Sequence, residues 1–305
     1  MADDRLLTKL GPIQLTTPLV AASGTVGSVW EWADVADVSW YGAAVAKSVS
    51  PGPWTGRPAP RLAPTSAGML NGIGIQNPGI DAWAKDMSPR ISSLGVPVWG
   101  STVAETVEGY ATVAREMETS GVTAIEVNLS CPNLEDGIMF SFDATATRAV
   151  IEAVTAAVSI PVGAKLSPNT PDVIGVAVAA RDGGADFLVL TNSALGFGLD
   201  LESRKPLLSG GVGGYSGVGL KPLALRCVYE VAGALPGFPI VGCGGVTSGR
   251  DVVEYLMTGA SAVAAGTVHL AEPRAGKRIV GELTREMRRL GVTSVSELVG
   301  VAERP

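Results

Sequence analysis

Eight short β-rich runs, each separated from the next by a longer stretch, constrain this chain more than any other feature. They are LVAAS (19 to 23), GAAVAKS (42 to 48), PVWGS (97 to 101), AIEVNLS (124 to 130), PVGAKLS (161 to 167), FLVLTN (187 to 192), PIVGCGG (239 to 245) and AVAAGT (262 to 267). Helical spacing of apolar residues fills several of the gaps, notably Ala104 to Thr119, Ala144 to Val158, Pro171 to Asp182 and Ser248 to Met257. Strand and helix alternating eight times predicts an α/β protein, a (β/α)8 TIM barrel, although a doubly wound open sheet shows much the same alternation. LLTKLGPIQLTTPLV at the start predicts a small β-hairpin ahead of the first barrel strand, and Leu201 to Gly217 is a Gly-rich insertion after strand six. No linker or charge run divides residues 1–305, so we expect one domain.

Composition agrees with a buried parallel sheet: 46% of residues are hydrophobic but only 5% aromatic, which favours close packing of small side chains. A net charge of -6 and a pI near 5.0 argue against a nucleic-acid footprint. The opening MADDRLLTKLGPI has neither a basic n-region nor a long apolar h-region, and no apolar run reaches membrane length, so a cytoplasmic protein is expected. Cys131, Cys227 and Cys243 lack CxxC spacing, which predicts neither a disulfide framework nor a metal site.

In a parallel barrel the chemistry lies at the carboxyl ends of the strands. Here strand two ends in Lys47 and Ser48, strand four in Asn128, Ser130 and Cys131, strand five in Lys165 and Ser167, and strand six in Asn192 and Ser193. Any one of these could be a loop cap. Lysines in otherwise apolar strands are poor candidates for filler, because an unpaired buried ammonium costs several kcal/mol. Strands seven and eight end instead in Gly244, Gly245 and in Gly266, Thr267, where the backbone can approach a phosphate. There is no GxGxxG and no GxxxxGK[ST]. A phosphate site with two inward lysines suggests FMN, since a lysine near the flavin N1 and C2 carbonyl edge would stabilise negative charge there. Cys227 reads as helix packing, Cys243 as strand packing, His269 as structural or solvent-facing, and Glu135 with Asp136 as a solvated loop.

NLSCPN (128 to 133), together with SAGMLNGIGIQNPG (66 to 79), resembles the dihydroorotate dehydrogenases. The likeness runs nearly end to end and takes in ASG (22 to 24), AKS (46 to 48), AKLSPN (164 to 169), TNS (191 to 193), SGVGLKP (216 to 222), GCGGV (242 to 246) and AAGT (264 to 267). PRLAPTSAGMLNGIGIQNPG looks most like the NAD-linked class 1B subfamily, whose catalytic subunit pairs with an iron-sulfur flavoprotein subunit. The resemblance implies that Ser23, Lys47, Ser48, Asn128, Lys165, Thr191, Gly217, Gly244, Gly245, Gly266 and Thr267 line FMN. Ser101 stands where relatives commonly carry a flavin-touching asparagine. Orotate would be held by Lys47, by Asn71 with the backbone of Gly72, Ile73, Gly74 and Ile75, by Asn128, and by Asn192 with Ser193. Cys131 falls on the family's catalytic base, and the following LEDGIMFSFD departs from a common GG-containing form.

Oxidation of dihydroorotate removes a proton from C5 and a hydride from C6, so a base and flavin N5 must flank the ring. A thiol with pKa near 8.5 can act as that base once nearby cations favour the thiolate. The loop from Pro132 to about Phe142, with Gly137 in it, would serve as a lid. The chain carries no NAD fingerprint and no cysteine cluster for an iron-sulfur centre. The resemblance therefore implies a homodimer served by an FAD and iron-sulfur subunit. Two alternatives stay open: an FMN enzyme of uracil-type pyrimidines, and a non-catalytic barrel that binds a phosphorylated ligand.

Overall fold

The computed structural model describes residues 3–129 and 139–304. All eight runs form parallel strands of one closed barrel: Leu19–Ala21, Ala43–Val45, Val98–Thr102, Ala124–Asn128, Val162–Leu166, Phe187–Leu190, Ile240–Cys243 and Ala262–Ala265. Each pairs with its neighbours in sequence, and the eighth closes on the first through Val263↔Leu19 and Ala264↔Val20. That closure decides for the barrel over the open sheet.

Alternation along each strand divides the chain's apolar residues into two sets. Leu19, Ala44, Val98, Ile125, Ala164, Leu188 and Val263 face outward into the layer shared with the helices. Val20, Val45, Trp99, Ala124, Phe187, Val189, Val241 and Ala262 face inward and fill the barrel. Trp99 and Phe187 supply most of that filling, with ring centroids 5.1 Å apart. Their bulk is accommodated by Gly163, where a Cβ would be driven into the Phe187 ring.

Helices Val107–Thr119, Ala144–Ala157, Val173–Asp182 and Gly249–Thr258 occupy the expected gaps. Side-chain caps start them: Thr106 Oγ1 accepts from Gly109 N, Asp143 from Ala146 N, Asp172 from Gly175 N, and Ser248 with Asp251 forms a capping box. None of the helices among the described residues is long and apolar enough to cross a membrane.

Ahead of the barrel, Thr8–Leu10 and Ile13–Leu15 pair antiparallel. Leu10 and Leu15 from this pair are buried in the same cluster as the inward residues, which seals the amino-terminal end of the barrel. At the other end, Ala194–Gly196 and Gly213–Ser216, both from the segment after strand six, join Gly68–Asn71 and Leu62–Thr65 in a four-stranded antiparallel sheet.

Because the interior is close-packed, adding volume at Gly163 should be costly. Gly163→Ala is expected to destabilise the protein by about 1–3 kcal/mol, and Phe187→Leu added to it should recover part of the loss. Urea unfolding midpoints test this, and an unchanged midpoint for the single variant would contradict the packing described.

Candidate functional site

A cavity of about 870 Å³ opens at the carboxyl ends of the strands. The barrel forms its floor and the four-stranded sheet one wall, through Leu62, Met69, Asn71, Leu195, Gly213 and Gly214 among others. Three cations line it, Lys47, Arg57 and Lys165, and among its described lining residues there is no Asp or Glu. A chain with net charge -6 thus presents a cationic cavity.

Strand four places Asn128 on the floor, where its Nδ2 donates to Ser48 Oγ at 3.0 Å and its Oδ1 accepts from Asn192 Nδ2 at 3.2 Å. Tyr110 OH donates to the Asn128 carbonyl at 3.1 Å, fixing the strand end from behind. Asn71 Nδ2 donates to Gly214 O at 3.1 Å, so the sheet wall holds this amide in place. Ser193 N donates to Asn192 Oδ1 at 2.8 Å. These three asparagines come from strands four and six and from the sheet, and the fold gathers them on one cavity. An amide offers both donors and acceptors, which suits the edge of a cyclic imide.

Lys165 is 5% exposed, and its Nζ lies 3.2 Å from Oε1 of Glu126 on strand four, itself 2% exposed. Glu126 escaped the sequence reading, although the rule that singled out lysines in apolar strands applies equally to a glutamate inside AIEVN. Lys47 sits just past strand two, with its N–H donated to Gly27 O at 2.9 Å.

The ends of strands seven and eight form the opposite part of the cavity. Gly245 has φ +67, and a Cβ there would come within 2.7 Å of Lys221 Cβ and 3.0 Å of Gly217 O, so glycine is needed for this close approach. Behind it, Asp251 Oδ2 accepts from the N–H and hydroxyl of both Thr247 and Ser248, each at 2.9 Å. Burial alone would raise the Asp251 carboxyl, but Lys221 at 2.8 Å and these donors bring it below the ordinary carboxylate range. After strand eight, Thr267 Oγ1 donates to Ser216 Oγ at 2.9 Å, tying that loop to the sheet.

His269 braces the loops after strands one and eight. It is 3% exposed, and its Nε2 lies 2.8 Å from Tyr41 OH while its Nδ1 lies 3.2 Å from Thr25 Oγ1. Thr25 donates its hydroxyl proton to Ala22 O, which leaves Thr25 to accept from Nδ1–H and Nε2 to accept from Tyr41 OH. A neutral ring satisfies every partner in this chain, and burial pushes the His269 pKa down to about 4.

Of the residues expected to bind cofactor or substrate, every one lines the cavity except Ser101. Ser101 is fully buried, and its Oγ lies 2.9 Å from Ser48 Oγ, one side chain away from the cavity. Cys131 and Gly137 lie outside the described residues, while Met139 and Phe142 beyond them reach the cavity. Cys227 is buried in the helix layer as expected; Cys243 is buried too but also forms part of the cavity wall, and burial pushes its thiol pKa up. Arg57, Thr25 and Ser216 are lining residues that the strand-end reasoning missed, because the loops and sheet that carry them have no strand-end signature.

Fold and site together define a (β/α)8 barrel protein with a cation-lined ligand cavity at the carboxyl ends of its strands. The family model described as dihydroorotate dehydrogenase matches residues 5–287. The chain is 40% identical over 294 residues to a protein of Desulforudis audaxviator, covering 96% of this chain and 95% of that one. It is 41% identical over 293 residues to one of Citrifermentans bemidjiense, covering 95% and 96%, and 39% identical over 297 residues to one of Listeria innocua, covering 97% of each. All three are named dihydroorotate dehydrogenase B (NAD(+)), catalytic subunit. The chain belongs to the dihydroorotate dehydrogenase family.

The histidine brace has a pH signature. With a value near 6.5 unfolded and about 4 folded, the unfolded chain takes up a proton in this window that the folded one refuses. The contribution is complete above pH 6.5 and is lost as pH falls toward 4, amounting to roughly 3 kcal/mol at about 1.4 kcal/mol per unit. The stability advantage of wild type over His269→Gln should therefore shrink between pH 7 and 4.5 in urea titrations. A pH-independent difference would contradict a buried neutral ring.

Proposed function

We propose that this chain oxidises dihydroorotate to orotate in pyrimidine biosynthesis with a bound FMN, Cys131 taking the C5 proton. The observation that carries this reading is the cavity: three cations and no carboxylate among its described lining residues, in a member of this family. Both ligands the reading requires are anionic, one through a phosphate and one through a carboxylate. A volume of about 870 Å³ suits the two together, falling within the roughly 300–1,000 Å³ of ordinary ligand cavities. The glycine positions after strands seven and eight fit a phosphate, because side chains there would block its approach to the backbone. FMN, when bound, supplies the hydride acceptor.

The protein's own residues do the rest. Asn71, Asn128 and Asn192 would orient the substrate ring through paired donors and acceptors, and Lys47 would hold its carboxylate. Lys165, on the floor, would favour negative charge on the cofactor's pyrimidine end. Ser23, Ser48, Thr191, Gly217, Gly244, Gly245, Gly266 and Thr267 would form the rest of the FMN cradle. The carboxylate also separates this reading from the uracil-type enzyme, whose neutral substrate offers no such group to the cationic lining.

For the electron acceptor, the relatives' names point to a catalytic subunit that works with another. This chain has no dinucleotide fingerprint, so an FAD and iron-sulfur subunit docked on a homodimer of this single-domain chain in the cytoplasm is the reading we favour.

Acid-released cofactor from purified protein should be FMN; FAD, or no flavin after reconstitution, would defeat the cofactor assignment. Cys131→Ala should slow reduction of the bound flavin by dihydroorotate roughly 100-fold or more in stopped-flow experiments, with orotate binding retained. Near-normal reduction in that variant would remove the cysteine from the mechanism.

A further inference from the structure

Glu126 faces the barrel interior from the middle of strand four, does not line the cavity, and touches Lys165, which does. Register explains the contact. Asn128 lies opposite Lys165 on the neighbouring strand, and Glu126 lies opposite Gly163, which has no side chain to occupy the space. The lysine therefore leans back toward the carboxylate one step deeper in the barrel.

Stability does not account for such a pair. Each buried ion carries a desolvation cost of several kcal/mol, and apolar residues of similar volume are often as stable or more so. The surrounding interior is built from such residues: Trp99, Phe187, Val189 and Val241. The pair also sits where the barrel changes character, with apolar filling below and the polar floor of Asn128 and Thr191 above.

We propose that Glu126 is a positioning residue that acts through Lys165, aiming its ammonium at the bound flavin and limiting how much positive charge the flavin experiences. A carboxylate below and an anionic ligand above then share one ammonium. Removing the carboxylate, with the ammonium kept, exposes the ligand to the full cationic field in a site where such fields are poorly screened.

The proposal rests on the flavin reading and is tested without turnover. Sulfite adds to oxidised flavin and leaves negative charge on the pyrimidine end, so its dissociation constant measures the local positive potential. In the flavin-loaded protein, Glu126→Gln keeps the shape and a Nζ acceptor but removes the charge. It should tighten sulfite binding at least tenfold, matched by a rise of about 30 mV in midpoint potential for each tenfold in a two-electron couple. Glu126→Asp keeps the charge but withdraws it, and should tighten sulfite about threefold, which preserves the test if the glutamine variant does not fold.

In a Lys165→Met background the effect of Glu126→Gln should vanish, because the carboxylate then has no ammonium through which to act on the flavin. Unchanged or weaker sulfite binding in Glu126→Gln, in Glu126→Asp if the glutamine variant does not fold, or equal tightening in the Lys165→Met background, would overturn the proposal. Wild-type protein lacking a flavin spectrum would sink the cofactor reading and this inference together. A flavin-loaded wild type with an indifferent Glu126→Gln would sink this inference alone.

Discussion

Closing eight parallel strands into a barrel forces alternate residues of every strand into an interior without solvent, and the character of those residues changes along the barrel axis. At the amino-terminal end they are Ala43, Trp99, Ala124, Phe187 and Ala262, with Leu10 and Leu15 of the hairpin closing the end. At the carboxyl end they are Asn128, Lys165, Thr191 and Cys243. Hydrocarbon filling needs no partners, so one end packs shut, with the Trp99 Nε1 donor left unpaired among the described residues. The polar end buries donors and acceptors that need partners, and Asn128, Ser48 and Asn192 find them in one another and by facing a cavity.

That network rigidifies the site from several directions. Tyr110 holds the carbonyl of Asn128, Asp251 gathers the loop after strand seven, and His269 links the loops after strands one and eight. Acidic groups in these roles stay behind the cavity wall, as caps or as partners of Lys221 and Arg278. The negative surplus of the chain is thereby kept apart from a cavity whose described charges are all positive. The anionic ligands we propose follow from that separation rather than from the net charge.

The barrel's strands were legible in sequence because strands buried on both faces must be apolar throughout, and LVAAS, FLVLTN and AVAAGT meet that demand locally. Whether the sheet closes was not legible, since it depends on strand eight meeting strand one across the whole chain. The four-stranded sheet was missed for a related reason. Asn71 pairs with Gly214, 143 residues away, in segments rich in Gly and with Pro64 in an outer strand, so neither periodicity nor propensity announces it. Polar strand ends pointed to the barrel side of the candidate cavity, because a lysine in an apolar strand needs a counter-charge or an anionic ligand to meet it, whereas Ser23, Asn71 to Ile75, Thr191 and Gly217 came from the resemblance. Glu126 carried the same signal and was passed over; Ser216, placed by the sheet, and Arg57, in the loop ahead of it, carried none. The role of Cys131 rests on the NLSCPN resemblance and on its place directly after strand four in the sequence, as it lies outside the described residues.

The central claim is that a cation-lined cavity in this family serves an anionic dihydropyrimidine. Anaerobic addition of dihydroorotate to the purified flavin-loaded protein, followed by absorption, tests it directly. The account predicts bleaching of the oxidised flavin band by dihydroorotate and little or none by dihydrouracil at equal concentration. Bleaching by dihydrouracil with dihydroorotate inert would contradict it.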